Sequence, residues 1–505
     1  MSSPAFDTQP LFIRAASALD NELERHFWRW SVLIVLAFLA CALIRDARDK
    51  MWLDELYTVY MARQAGPGEI IKATIEGADA GAPSYAMIVH SILPVVKNEA
   101  LAVRLPSTLG YCGMVLCLLA FCRRRMPAVY ALAAGVAACD ASRYYATEGR
   151  GYGLMLFCGA AALLSWQTAT TARRRLASIA MLAVCLTAMV ALHYFAIFFL
   201  CPLLVGELIR WRRSGKFDFA VVAAMAPALA VLIPHYPFIE AARKFQPHYW
   251  SPASWNQIGD FYIQYFLPFA PLMLVAAVVF AALAADRRTA EDTLPPQEWA
   301  VVVTLAFMPA IIIAISKYTT HVFVDRYALW ACIGFALLSG GMLCAAARRR
   351  TAAGAVMLVL LVPLLALHSA RHLRGKPVMR AGEPELRDLN KLAESSEPIV
   401  VADNFVYMEM AYYAKPALRQ RLVYPVDATL ELHDMGYDTV ALIMSALSHR
   451  SALRITPYDS VLASYPRFLL SAGQTDHLPQ HLLAAGYRLT EIAPTVYEAV
   501  APEKN

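Results

Sequence analysis

Trp28–Ile44, WRWSVLIVLAFLACALI, decides the fold class of this chain. Apart from Arg29 it is an uninterrupted apolar run, close to the roughly 17–25 residues that cross a bilayer as a helix. Similar runs recur near 101–122, 127–145, 152–170, 176–192, 194–209, 217–239, 261–285, 299–316, 326–347 and 351–370. Over 505 residues the chain is 59% apolar and 17% charged, where a soluble protein carries about 25% charged residues. The reading is an α-helical polytopic membrane protein with about eleven transmembrane helices. Residues 1–27 are polar and show no signal-cleavage pattern, so Trp28–Ile44 is read as an uncleaved anchor.

The basic residues set the orientation. Arg123-Arg124-Arg125, Arg173-Arg174-Arg175, Arg210/Arg212/Arg213, Arg287-Arg288 and Arg348-Arg349-Arg350 all fall on one side if the apolar runs alternate in direction. That side is cytoplasmic by the positive-inside rule, together with the N-terminus. The stretch Pro83–Val96 is too short to cross and contains Pro94, so it is read as a helix lying at the outer surface. The net charge of +6 is distributed in these short clusters, which argues against a nucleic-acid partner. The ten cysteines lie in or beside apolar runs with no CxxC pair, so neither a disulfide framework nor a thiolate metal site is expected.

Past His368 acidic and basic residues come into balance. Pro398–Asp403, Arg421–Pro425 and Thr439–Met444 read as short buried strands, and Glu383–Ser396 and Leu478–Gly486 as helices, the second stopped by Gly486. Strands alternating with helices imply an α/β domain. The chain is therefore divided into a cytoplasmic segment 1–27, a transmembrane region 28–370 with a first external loop 45–100, and an extracytoplasmic α/β domain 371–505.

Met51-Trp52-Leu53-Asp54-Glu55-Leu56-Tyr57 follows the first span and holds two adjacent carboxylates near the membrane, where charge is costly unless solvated or used. Transfer of a sugar from an activated phosphate donor needs a general base and no acid, because a lipid phosphate leaves readily. The alternative is the first turn of a helix, where acidic residues oppose the helix dipole. Glu148 and Arg150 stand among Tyr144, Tyr145 and Tyr152 in a short turn between two spans, either lining a polar cavity or forming an interfacial tyrosine belt. Arg104, Arg150, Lys317 and Arg326 are candidate cations for a donor phosphate, with snorkelling to headgroups as the alternative. His193-Tyr194 lies at another span end. No HxxxH or Asp-x-Asp pair occurs near these residues, so no tight metal site and no cofactor are expected.

Three stretches together resemble the GT-C superfamily of polyprenyl-phosphate-sugar transferases, in the branch of the protein O-mannosyltransferases and the lipid A aminoarabinose transferase. They are Trp52–Tyr57, Pro83-Ser84-Tyr85 continuing to Arg104-Leu105-Pro106-Ser107, and Tyr145-Ala146-Thr147-Glu148-Gly149-Arg150-Gly151-Tyr152. His193-Tyr194 and Arg326-Tyr327 are looser matches. The resemblance implies Asp54 as base, with Glu55 beside it and Glu148 as a second acidic residue of the catalytic group at the next external turn. It implies Arg104, Arg150, Tyr57, Tyr85, His193, Tyr194, Arg326 and Tyr327 as donor-phosphate and substrate contacts. Ala82 replaces the first proline of the family's pair, and Gly81 the lysine of the aminoarabinose transferases, which leaves the donor sugar open.

The expected activity is inverting transfer of a sugar from a polyprenyl-phosphate-linked donor to a hydroxyl or phosphate of a lipid, glycan or protein acceptor. It is expected on the outer face of a bacterial inner membrane, as a cell-envelope glycan modification. A lipid or glycan flippase also needs many spans, but would place paired repeats and broken helices at the midplane; here the charges gather at one face. An O-antigen-ligase-like enzyme would differ mainly in using a diphosphate-linked donor.

Overall fold

The computed structural model describes residues 11–141, 143–170, 174–282, 294–374, 387–389 and 396–502. The chain divides into two compact units that cut across its linear order. A helical unit takes Met1–Asp46, Arg104–Pro234 and Ala253–Gly375, and a second unit takes Ala47–Val103, His235–Pro252 and Lys376–Asn505. The segment Ala47–Val103 thus belongs to the same unit as the C-terminal sheet, although the two are far apart in sequence.

Where they are described, the eleven apolar runs are helical, in three grades. Among the described residues seven helices are long and apolar enough to cross a membrane, and the count rises to nine if two pairs, each bent by slightly more than 40°, are single spans. The bent pairs are Phe219–Ala230 with Leu232–Arg243, and Asn256–Tyr265 with Leu267–Ala282; the remaining two runs form the shorter helices Ala128–Cys139 and Ala331–Ala346. Pro227, Pro237 and Pro268 fall within the bent pairs, and proline removes a helix hydrogen bond and kinks the chain. The chain is a multi-pass membrane protein. Side chains such as Ile233, Val278, Phe280, Phe307 and Val359 are exposed along these helices, which is the apolar surface a lipid environment requires.

Within the helical unit, Arg175–Leu192 packs on Tyr152–Ala169, and Pro296–Tyr318 packs between Leu200–Ser214 and Ala331–Ala346. Trp166, Trp330, Tyr111, Phe199 and Phe335 fill its core. Described members of the basic clusters gather at one set of helix ends, where acids hold Arg125, Arg175 and Arg210. Glu298, 1% exposed, holds Arg125 and accepts from Gln167 Nε2 at 3.2 Å. Asp218 binds Arg175 at 2.6 Å and Arg210 at 2.7 Å, and Glu207 binds Arg210 and the Trp166 indole. Arg349 donates to the Arg125 carbonyl at 3.1 Å. Arg173 and the Arg287-Arg288 pair lie outside the described residues.

The second unit is built on a six-stranded sheet of order β3-β2-β1-β4-β6-β5. β1 (Ile399–Val401), β2 (Leu422–Val426), β3 (Ile455–Pro457) and β4 (Arg467–Ser471) are parallel, with Ile399 opposite both Leu422 and Leu469. β6 (Val496–Val500) pairs antiparallel with β4, and β5 (Arg488–Ala493) pairs antiparallel with β6 to close one edge. The expected strands at Pro398–Asp403 and Arg421–Pro425 are β1 and β2. The expected helix at Leu478–Gly486 is Leu478–Ala484, with Gly486 at φ +85° past its end. Thr439–Met444 is corrected: it is the start of a helix, Thr439–Ser448, burying Ala441, Met444 and Leu447. A short apolar run reads alike in strand and helix; here the side chain of Glu431 accepts from the Ala441 N–H at 2.7 Å and satisfies the helix's first turn. The expected helix Glu383–Ser396 lies outside the described residues except at 387–389 and 396.

Loop and C-terminal segment are stitched together by polar contacts. Met51 N–H donates to the Tyr413 hydroxyl at 2.6 Å and Gln64 Nε2 to the Arg450 carbonyl at 2.9 Å. Arg450 also pairs with Glu69 and Glu76. The Pro83–Val96 stretch contains a nine-residue helix, Ser84–Ile92, too short to cross a bilayer.

Candidate active site

The residues singled out from the sequence fall into two groups, one in each unit. In the second unit, Asp54 and Glu55 occupy the first turn of the helix Leu53–Ala62. Glu55 is 1% exposed and its carboxylate accepts from the Trp52 N–H at 3.2 Å, so this side chain closes the helix start. Asp54 is half-buried on the same turn, and its carbonyl accepts from the Thr58 hydroxyl. Tyr57 and Tyr85 are buried: the Tyr57 hydroxyl meets Met444 Sδ at 3.8 Å and the Tyr85 hydroxyl donates to the Val103 carbonyl at 2.7 Å. Burial, with smaller contributions from the charges of Asp54, Asp79 and Glu431, holds the Tyr57 phenol well above its ordinary range, so it stays protonated. The sequence reading passed over Asp79, whose carboxylate accepts from the Gly81 N–H at 2.8 Å. Its position just before the Pro83 motif was the available signal.

Burial raises the Glu431 carboxyl to about 7, against the opposing hydrogen bonds from Ala441 and Val440. Its folded pKa exceeds its unfolded value, so the stabilisation it gives is fully present below the unfolded value and is lost as pH rises through about 7. Glu431→Gln keeps an acceptor for Ala441 and removes the titration. The variant is expected to melt at the same temperature as the parent near the unfolded pKa and at a higher temperature above the folded one. Thermal unfolding of the purified protein across that range measures this, and a lower-melting variant at alkaline pH would show that the carboxylate is a needed partner.

In the helical unit, the remaining candidates meet at the helix ends opposite the basic clusters. Arg104, Ser107 and Thr108 form a buried bracket. Arg104 Nη1 donates to the Asp46 carbonyl at 2.8 Å, and Thr108 Oγ1 to Asp46 Oδ2 at 2.7 Å and the Ala146 carbonyl at 2.9 Å. Ser107 Oγ donates to the Tyr145 carbonyl at 3.1 Å and accepts from the Gly153 N–H at 3.0 Å. The Arg-Leu-Pro-Ser motif therefore grips both sides of the turn that presents Glu148 and Arg150. Arg104, expected to face a phosphate, is only 2% exposed.

Glu148 is also buried, and Arg150 N–H closes the turn on its carbonyl at 2.8 Å. Around this turn stands an aromatic cluster. Tyr145 packs edge-on to Tyr152 at 5.1 Å, His193 lies 5.2 Å from the Tyr327 ring, and Phe195 stacks on Tyr327 at 4.4 Å. Arg150 and Arg326 both lie within electrostatic reach of His193, whose Nδ1 is shut off from solvent with no hydrogen bond among the described residues. Tyr194 follows His193 and is half-buried. Lys317 is apart, over the Trp255 ring at 5.9 Å. Two residues missed from the sequence complete the group: the Tyr265 hydroxyl bonds both Tyr145 at 3.1 Å and Asp325, and Asp325 Oδ1 accepts from the Arg326 N–H at 2.9 Å. Gln264-Tyr265 inside an apolar run was the signal for the first. Among the described residues no group of three His, Cys, Asp or Glu is placed to hold a metal ion.

No family model matches the chain. No curated protein sequence matches it. Among solved structures it is similar to ArnT from Cupriavidus metallidurans bound to undecaprenyl phosphate, at 12% identity and a TM-score of 0.45, covering 94% of this chain and 99% of that one. The apo form of the same protein gives 13% identity and a TM-score of 0.40. The Archaeoglobus fulgidus oligosaccharyltransferase, in complex with zinc and sulfate, gives 9% identity and a TM-score of 0.45, covering 93% of this chain and 74% of that one.

Proposed function

We propose that this chain is a membrane glycosyltransferase that moves a sugar from a polyprenyl-phosphate-linked donor to a hydroxyl or phosphate of a lipid, glycan or protein acceptor. In this reading it works at the outer face of a bacterial inner membrane, with Asp54 as general base. The supporting observation is the first turn of Leu53–Ala62, where Glu55 is used to close the helix start and Asp54 is the half-buried carboxylate beside it. The acceptor oxygen attacks the anomeric carbon from the face opposite the phosphate. A C–O bond forms, the bond to the polyprenyl phosphate breaks, and the acceptor's proton passes to Asp54. The leaving phosphate needs no acid; Arg150 and Arg326 stabilise its charge. His193, Tyr194 and Tyr327 shape the aromatic surroundings, and Glu148 orients the turn that carries Arg150.

The test is transfer and donor hydrolysis by purified protein in lipid nanodiscs, over a panel of polyprenyl-phosphate sugars, with acceptors taken from mass-spectrometric comparison of envelopes with and without the protein. Arg326→Ala is expected to raise the donor KM by about tenfold or more while changing kcat less, since a charge-assisted contact to a phosphate is worth that much. Translocation of a labelled lipid-linked glycan, with no transfer or hydrolysis for any donor, would favour the flippase reading instead.

A further inference from the structure

The helix Leu53–Ala62, with Asp54 in its first turn, brings Tyr60 and, just past its end, Arg63 to a cavity of about 540 Å³. Its other principal walls are Tyr407, Tyr412, Arg419 and Arg454 from the C-terminal segment. All belong to the second unit. The volume lies within the roughly 300–1,000 Å³ typical of small-molecule sites and is far more than a lone inorganic anion fills.

The charge of this cavity is not balanced by its own walls. Arg63 is neutralised, in a two-point contact with Glu99 at 2.7 Å, and Tyr412 bonds the same carboxylate. Arg419 donates through one nitrogen to the carbonyls of Tyr412 and Ala414, both at 2.9 Å. Arg454 donates to the Gln420 carbonyl and, at 3.0 Å, to the Tyr465 hydroxyl. Neither Arg419 nor Arg454 has an acidic partner among the described residues. Their bonds to neutral oxygens hold the guanidinium planes in place without cancelling their charge. Guanidinium groups fixed in this way suit carboxylate or phosphate oxygens, and the tyrosine rings suit the face of a sugar ring.

We propose that this cavity is a binding site for an acidic sugar, a pyranose ring bearing a carboxylate or a phosphate, separate from the transfer chemistry assigned above. The ring lies against Tyr60 and Tyr412, and the anionic group meets Arg419 and Arg454. Because the site is defined by binding alone, it stands whether or not the chain transfers sugars.

The experiment is equilibrium binding of glucuronate, glucose 6-phosphate and glucose to the full-length protein in detergent, by ligand-observed NMR. Both acidic sugars are expected to bind, glucose about tenfold more weakly or less, and raising ionic strength from about 0.02 M to about 0.5 M is expected to weaken the acidic sugars selectively. Arg419→Gln with Arg454→Gln should reduce their affinity by about tenfold. These arginines also brace the chain, so a second variant is used: Ala452→Glu places a carboxylate on an exposed alanine of the cavity wall. It should abolish acidic-sugar binding while leaving the melting temperature unchanged. Three results would overturn the proposal: equal binding of glucose, undiminished binding by an Ala452→Glu protein that melts like the parent, or binding of phosphatidylglycerol vesicles through these arginines with no binding of either acidic sugar.

Discussion

Asp54→Asn is expected to lower sugar transfer by about 10²–10⁴-fold while leaving membrane insertion and donor binding intact, because asparagine keeps the shape of the side chain but cannot take up the acceptor's proton. The contrast with its neighbour gives the experiment its resolution. Glu55 lies about 100° around the helix axis from Asp54, and its carboxylate accepts from the Trp52 N–H. Glu55→Gln retains an acceptor oxygen for that bond, so its expected cost is a small loss of stability and little loss of turnover. Purified variants assayed with the same polyprenyl-phosphate sugar separate the two roles. Full activity in Asp54→Asn with an inactive Glu55→Gln would move the base by one residue. Full activity in both would take this helix out of the chemistry.

Gly153→Val should prevent the helical unit from folding. An ideal Cβ at Gly153 would lie 1.9 Å from the Ser107 carbonyl oxygen, and one at Gly110 would lie 2.7 Å from the Gly153 carbonyl. The helices Glu99–Arg123 and Tyr152–Ala169 therefore meet backbone to backbone, the close approach that small residues permit between membrane helices. Overpacking a core ordinarily costs about 1–3 kcal/mol by displacing side chains; here only main chain can give way, so the cost should exceed that range. The same contact holds Ser107 against the Glu148–Arg150 turn, so any folded remnant should also lose activity. Gly259→Ala is the control, since nothing lies within 4 Å of the added Cβ and alanine favours helix by about 1 kcal/mol over glycine. Yield of monodisperse protein and its melting temperature measure both. A Gly153→Val protein that purifies and melts like the parent would mean that the two helices do not pack this closely.

Much of this architecture was legible in the residues because hydropathy is a local property. Each apolar run from Trp28–Ile44 to 351–370 is helical, since a backbone in hydrocarbon must satisfy its own hydrogen bonds. The sequence by itself also determined that the described basic clusters share one set of helix ends, that Pro83–Val96 is too short to cross, and that β1 and β2 are strands, buried runs bounded by turn residues. Thr439–Met444 was misread because its apolar pattern is the same in a strand and in a helix. The choice was made by a carboxylate eight residues upstream, at Glu431, which meets the first turn of the helix. β3, β4, β5 and β6 were not read as strands; β3 spans only three residues, and β5, at the sheet's edge, is mostly exposed and carries little apolar pattern.

What only the tertiary structure decided is which long-range partners each candidate finds. Asp54 and Glu55 are adjacent in sequence and alike in chemistry, and only the helix start at Leu53 separates a capping carboxylate from a half-buried one. Arg104 read as a surface cation because it stands at a span end; it is buried because the Asp46 carbonyl, 58 positions earlier, needs a donor. Tyr265 and Asp325 became part of the aromatic group through a contact between residues 60 positions apart. The joining of the 47–103 segment to the C-terminal segment rests on long-range pairs, such as Met51 with Tyr413 across 362 positions and Arg450 with Glu69 and Glu76. No local pattern encodes such a pairing: either partner alone is an ordinary polar group, and its role is set by what the rest of the chain brings beside it.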